Sequence, residues 1–277
     1  FAYLYRTYGA EVTIVELLPQ ILPQEDQETS KTLLRSFTRQ GIEVITGSAV
    51  DDVSIDEERA NVNITTSGET RLIQADKVLV AVGVKGNIDG LGLDIIGVET
   101  QRGNVVVGDT LETNVPSVYA VGDVTGKMLL AHVASAQGVT AVEGIAGLNP
   151  PKLNYSLMPR AVYCKPQVAS FGLTETQAKE QGFDVRIGHF PFSASGKALA
   201  LAETDGMIKL VVDSEIGEIL GAHMVGSEVT ELLGEVAMTK LLEGTTAELG
   251  WLVHAHPTIS EMLKEAALNV DGESIHI

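Results

Sequence analysis

Apolar positions along the chain recur in two periods, one of three to four residues and one of two, and the pattern switches between them several times. Residues 1–8 are apolar and aromatic with a single Arg, as in a helix packed on a sheet, and Gly9 is a suitable terminator. Val12, Ile14 and Val15 then form a short β-branched run that ends at Glu16. Residues 25–40 (EDQETSKTLLRSFTRQ) place Leu33, Leu34 and Phe37 on one face of an amphipathic helix stopped by Gly41, and residues 42–45 read as the next strand. Over residues 50–75 the period is two: Val53 and Ile55, then Val62 and Ile64, with a turn at Ser67-Gly68, which predicts a β-meander. Residues 76–82 (DKVLVAV) are almost wholly apolar, the signature of a buried parallel strand, and Gly83 ends them.

Residues 84–112 are Gly-rich and irregular. Next, TNVPSVYAVGDVTG (residues 113–126) reads as a strand at 118–121 that runs into Gly122-Asp123. A helix follows over about 130–147, lined with small residues such as Ala131, Ala134 and Gly138. Asn149-Pro150-Pro151 is a linker signal. Beyond it, short strands at 161–163, 168–172, 185–191, 207–213 and 219–224 alternate with helices near 174–181, 228–243 and 258–268. The first part therefore reads as α/β. The second reads as α+β, an antiparallel sheet with helices on one face.

Composition narrows this further. At 277 residues the chain is long enough for two domains or parts of three. It carries 37 Asp+Glu against 19 Lys+Arg, a formal net charge of −18, so nucleic acid and anionic membrane surfaces are repelled. No apolar run reaches 18 residues, so no membrane-spanning helix is expected. One cysteine, Cys164, leaves no intrachain disulfide and no Cys-rich metal site. Cys164 reads as a buried thiol in a strand beside Lys165-Pro166. The chain opens on what reads as the end of a helix, so a preceding segment is expected.

Three places carry candidate chemistry. Helix, glycine, strand and terminal acid form the second half of a βαβ unit, where a carboxylate such as Glu16 accepts ribose hydroxyls and disfavours a 2′-phosphate. The same residue also reads as an ordinary surface acid at a strand end. Asp123 stands beyond the carboxyl end of a strand, where ligands of open α/β sheets sit and where it accepts from a polyol or sugar hydroxyl; Gly-Asp there also reads as a plain turn. Six histidines (His132, His189, His223, His254, His256 and His276) include no HxxxH pair, and no metal site is expected. In HAHPTISEMLKEAAL (254–268), Pro257 holds His256 extended. Thr258 and Glu261 then have capping-box spacing, T-x-x-E. Alternatively, Glu261 bonds one ring nitrogen of His256, fixes the tautomer and makes the other nitrogen more basic, the arrangement of a general base with its orienting acid.

Taken in order, the VTIVE strand, AVG at 81–83, TNVPSVYAVGD at 113–123, LLAH at 129–132 and HAHPTISE at 254–261 resemble the class I pyridine nucleotide-disulfide oxidoreductase family. With MPRAVYCKPQVASFGLTE at 158–175, the resemblance is to its dihydrolipoamide dehydrogenases, and it covers the whole chain. It implies a partial Rossmann-like NAD domain over 1–85, a segment closing a partial FAD domain over 86–149, and an α+β dimerisation domain over 152–277. It implies FAD and NAD as cofactors, a homodimer, a cytoplasmic protein, and a lipoyl domain of a 2-oxoacid dehydrogenase or glycine cleavage complex as partner. The reaction implied is oxidation of dihydrolipoamide with reduction of NAD. His256 would accept the thiol proton and Glu261 would orient it. Asp123 matches the residue that holds the flavin ribityl chain, and Leu129, Leu130, Ala131 and His132 match the segment lining the flavin. Glu16, Val50 and Gly83 match the NAD contacts.

The sequence departs from the family pattern after Gly83, where it reads VKGN in place of an Arg-Arg-Pro-Asn-like run. The glycine loops and the redox cysteine pair of the family are expected before Phe1, and the fragment alone is expected to be inactive. Two alternatives stay open: a glutathione reductase-like enzyme of the same family, and a non-catalytic dimerisation module.

Overall fold

Local chemistry starts and stops the first elements where the sequence suggests. Helix α1 (Ala2–Thr7) precedes Gly9, whose φ of +92° reverses the chain into β1 (Val12–Val15). In the computed structural model, which describes residues 1–56 and 59–277, Asp26 caps α2 (Gln27–Arg39) by accepting the Glu28 N–H. Gly41, at φ +80°, follows its last turn. Strand β2 (Ile42–Ile45) then lies parallel to β1, with Val12 opposite Ile42 and Val15 opposite Ile45, as a βαβ half-unit requires. Strands β3 (Ser48–Asp56), β4 (Arg59–Thr66) and β5 (Glu69–Ala75) form the expected antiparallel meander, with Ser67-Gly68 as its second turn. Its first turn lies outside the described residues.

Residues 76–82 do not form the expected strand. A parallel strand needs a neighbour for its ladder, and no described residue supplies one, so the segment runs unpaired with Val80 74% and Val82 93% exposed. Residues 118–121 likewise reduce to one bridge, between Glu112 and Tyr119. Around them lie the short pair β6 (Thr100–Gln101) and β7 (Asn104–Val105) and the helix α3 (Ala131–Ile145), which is close to the range expected.

From Arg160 onward the chain builds one antiparallel sheet. Its strands are β8 (Arg160–Val162), β9 (Gln167–Gly172), β10 (Val185–Pro191), β11 (Met207–Asp213) and β12 (Ile219–Gly226), in spatial order β10-β11-β12-β9-β8. The helices are α4 (Glu175–Glu180), α5 (Gly196–Leu201), α6 (Val229–Leu241), α7 (Thr246–Trp251) and α8 (Glu261–Asn269). The short α5 and α7 are too brief to show a helical period in sequence. Cys164 sits two residues beyond β8, not within it, and burial pushes its thiol up to about 11.

Helices cover both faces of this sheet, not one. Side chains alternate along a strand, so Gly188 and Leu210 share one face and His189 and Lys209 the other. Helix α8 lies against the first face: a Cβ on Gly188 would come within 2.1 Å of the Ala266 carbonyl oxygen. The second face meets α4 through Ala178, Val211 and Leu220, and meets α2 through Leu33 and Phe37 against Val168 and Val225. This explains why β11 is buried from Met207 to Val212 and β12 throughout. It also explains why residues Phe1–Val78 and Pro159–Ile277 form one compact unit, while Leu79–Met158 forms a second.

On the face toward α2 and α4 a polar row crosses all five strands. Its members are His189, Lys209, His223, Ser170 and Arg160, each opposite the next in register. The start of α2 meets this row with carboxylates. Arg160 Nε donates to Glu25 Oε1 at 2.9 Å, and Lys209 Nζ to Asp26 Oδ1 at 3.0 Å and to Glu175 Oε2 at 2.8 Å. His189 Nε2 lies 3.1 Å from Glu28 Oε1. Burial pulls the Lys209 ammonium down, but Glu175 and Asp26 outweigh it and hold it above its ordinary value. Burial pushes the Asp26 carboxyl up, and the Lys209 ammonium and the Glu28 N–H reverse that and hold it low. His223, fully buried, donates from Nε2 to the Leu173 carbonyl at 2.9 Å. Its burial holds it below 6.5, against the pull of that carbonyl and of Asp26 and Glu25, with Arg160 acting in the same sense as burial.

Two outcomes follow for stability. Replacing Gly188 by Ala forces backbone against backbone and should cost about 1–3 kcal/mol in urea unfolding. The buried, neutral His223 binds a proton more readily when unfolded, so its contribution is complete above pH 6.5 and declines as the pH falls below it. Asp26 and Glu175 act in the same direction only lower, near and below the ordinary carboxylate range. Unfolding midpoints at pH 7.5 and 5.5 should therefore differ for the native sequence and differ less for His223→Gln.

Candidate active site

The segment after α7 is built to present one ring. Ile259 is buried against the domain, and the His254 ring, 5% exposed, meets Glu235 of α6 at 2.6 Å. Between these anchors His256 projects with its side chain 79% exposed. Its Nδ1 lies 2.9 Å from Glu261 Oε1, while Glu261 Oε2 accepts the Thr258 N–H at 2.7 Å. Both carboxylate oxygens are thus used, one to hold the ring and one to hold the turn beneath it. Glu261 is the first residue of α8, where the helix N-terminus favours a negative charge. Burial pushes its carboxyl up, yet the Thr258 N–H and the His256 ring outweigh that and hold it below the ordinary glutamate range. With Nδ1–H donating to Glu261, Nε2 carries the free lone pair and faces outward.

The capping box is only half formed. Thr258 does not cap α8; its hydroxyl donates to the Ala255 carbonyl at 2.8 Å, and Ser260 occupies the cap position. The T-x-x-E spacing therefore serves the turn and the histidine together.

Glu16 lies at the end of β1, half-buried, where its Oε1 accepts the Leu18 N–H at 2.8 Å. That bond uses Oε1, and Oε2 is the oxygen placed to accept from a ligand hydroxyl. The Glu16 carbonyl accepts the Ser48 N–H at 3.0 Å, which ties it to β3, where Val50 is exposed beside a bulge. In the other unit, Gly83 has φ +128° with open space where a Cβ would stand, so a ligand can approach its backbone closely. Gly122, at φ +80°, turns the chain into Asp123, which is exposed at the start of a 3₁₀ turn (Asp123–Thr125). Leu129 and Leu130 lead into α3, whose first two residues, Ala131 and His132, are exposed. Among the described residues no group of three or more His, Cys, Asp or Glu is placed to hold a metal ion.

The chain is similar to known proteins over its whole length. Two models of pyridine nucleotide-disulphide oxidoreductases match, the general one over residues 1–138 and the dimerisation domain over residues 158–267. The chain belongs to this family. Among curated relatives, the dihydrolipoyl dehydrogenase of Mycobacterium leprae is 45% identical over 278 residues and that of Bacillus subtilis 42% over 285. Each match takes in the whole chain but only 60% and 59% of the relative. Among solved structures, LpdA from Mycobacterium tuberculosis superimposes with a TM-score of 0.89 at 25% identity, covering 98% of this chain and 58% of that one. The flavoprotein disulfide reductase RclA from Escherichia coli gives the same TM-score and identity, with coverages of 98% and 61%.

Three residues gave no sequence signal of their own. Gln137 is fully buried, accepts the Gly122 N–H at 2.6 Å and donates to the Tyr155 hydroxyl at 3.0 Å, so it fixes the turn before Asp123. His254 and Glu235 are nineteen residues apart and meet only in the fold. A glutamine in a helix and a distant acid–histidine pair carry no spacing that marks them. Gln137→Leu leaves the buried Gly122 N–H unpaired and should cost about 1–3 kcal/mol in unfolding measurements.

Proposed function

We propose that this chain forms the larger part of a dihydrolipoyl dehydrogenase that oxidises protein-bound dihydrolipoamide and reduces NAD. The observation that carries the reading is the exposed His256 ring with Glu261 on its Nδ1. His256 Nε2 takes the proton of a dihydrolipoamide thiol, and the thiolate so formed is the nucleophile toward a disulfide. Glu261 holds the tautomer and balances the imidazolium charge. A chain with one cysteine does not itself supply the redox pair, and the half-buried, weakly acidic Cys164 is unsuited to the role.

FAD and NAD, when bound, supply the two-electron chemistry. The residues present suit both. Glu16 offers a carboxylate oxygen to the NAD ribose, Gly83 offers bare backbone, and Val50 lies near Glu16 on the neighbouring strand. Asp123 offers a carboxylate to the flavin ribityl chain, and Leu129, Leu130, Ala131 and His132 line it. On this reading residues 1–85 belong to the NAD domain, 86–149 close the FAD domain and 152–277 pair two protomers. Partners are a second copy of the chain and the lipoyl domain of a 2-oxoacid dehydrogenase or glycine cleavage complex, in the cytoplasm. No helix among the described residues is long and apolar enough to cross a membrane.

The likeness to a flavoprotein disulfide reductase favours one second reading, reduction of another disulfide by the same residues. Assays of the full-length protein with dihydrolipoamide and NAD, and with other disulfides and reduced nicotinamide, separate the two. His256→Gln should lower dihydrolipoamide turnover by about 10²–10⁴-fold with the flavin still bound. Retention of most of the turnover removes His256 from the mechanism.

A further inference from the structure

Glu16 is joined to α2 by a segment that packing holds only in part, through Ile21 and Leu22 against the core that α2 shares. Residues 17–26 form no regular element up to the Asp26 cap, and Leu17 and Leu18 are exposed. At the near end, backbone bonds tie Glu16 to Ile45 and Ser48, and Leu18 to Gly47. At the far end charge adds to the packing of Ile21 and Leu22 and fixes the position of Asp26. Gln20 Nε2 donates to the Leu22 carbonyl at 2.9 Å and the Glu25 carbonyl at 3.0 Å, which folds the segment onto its own end. Glu25 and Asp26 then meet Arg160 and Lys209, and Asp26 Oδ2 also accepts the Glu175 N–H at 3.3 Å.

Lys209 is central to this anchorage. It is 4% exposed on the middle of a strand with a neighbour on each side, so its stem starts from stiff backbone. An apolar residue there would serve stability as well, because the desolvation of a buried ion pair offsets most of its attraction. What an apolar residue does not do is fix Asp26 at one point.

We propose that Lys209 is a positioning residue for the dinucleotide site: through Asp26 it sets the far end of the segment whose near end carries Glu16. This rests on the reading of Glu16 as the ribose acceptor. The sheet beneath α2 then also governs nucleotide affinity, with no atom of Lys209 touching the nucleotide.

The test uses full-length protein with its flavin. Lys209→Met leaves the buried Asp26 carboxylate without its ammonium and risks unfolding, so the main variant is Lys209→Met with Asp26→Asn, which removes charge on both sides and keeps a capping side chain. Hydrogen exchange over residues 17–26 should quicken by about tenfold while β11 stays protected. The dissociation constant for NADH should rise about fivefold, and KM for dihydrolipoamide should stay unchanged. Unchanged exchange over 17–26 in the folded variant overturns the proposal. So does unchanged NADH affinity in that variant when Glu16→Ala weakens binding. If Glu16→Ala itself leaves NADH affinity unchanged, the ribose reading fails, and quickened exchange still supports the anchoring role of Lys209.

Discussion

A single ammonium buried beneath a helix N-terminus holds the two ends of this chain together. Lys209 comes from the middle of a five-stranded sheet, and Asp26 caps a helix more than 180 residues earlier. Around this contact the apolar side chains of α2 close on β9 and β12, so that Leu33 and Phe37 share a core with Val168 and Val225. The apolar surface supplies most of the association, since burial is its own driving force. It is indifferent to direction, however, and two smooth surfaces can slide. The charges remove that freedom. An ion pair at 5% and 4% side-chain exposure has few geometries in which both partners are satisfied.

The same division of labour recurs at His256. Buried Ile259 and the His254–Glu235 pair fix the segment, and the His256 ring is left in solvent. Glu261 uses its two oxygens on two tasks, the ring and the Thr258 N–H, so the histidine and the turn that carries it move as one body. Orienting groups of this kind act by restricting a side chain before the substrate arrives.

Much of this was legible in the sequence. Period-two and period-three runs placed β10 and β11 to the residue and α2 and α3 to within a few, because apolar runs bounded by turn and capping residues mark an element whether one face or both is buried. The His256–Glu261 pair was legible because its spacing is local. The failures share a cause. Residues 76–82 and 118–121 have strand composition, but a strand is a property of two segments, and composition does not report the neighbour. The covering of both sheet faces was hidden in the same way, since it depends on α2 reaching a sheet that begins 120 residues later. Gln137, His254 and Lys209 act through partners far along the chain, and no window of sequence contains both members of any pair.

The polar row across the five strands has a consequence for how the sheet is assembled. In a β-sheet a slip of one residue turns every side chain of a strand to the opposite face. Here a slip of β11 would send Lys209 toward α8 and Leu210 toward the carboxylates, and a slip of β9 or β12 would do the same to Ser170 or His223. Apolar strands as uniform as these otherwise tolerate several alignments. The row makes each wrong alignment strand a charge or an imidazole in an apolar layer. It works as a proofreading mark, read once along the whole sheet, that leaves five interchangeable-looking strands with one way to pair.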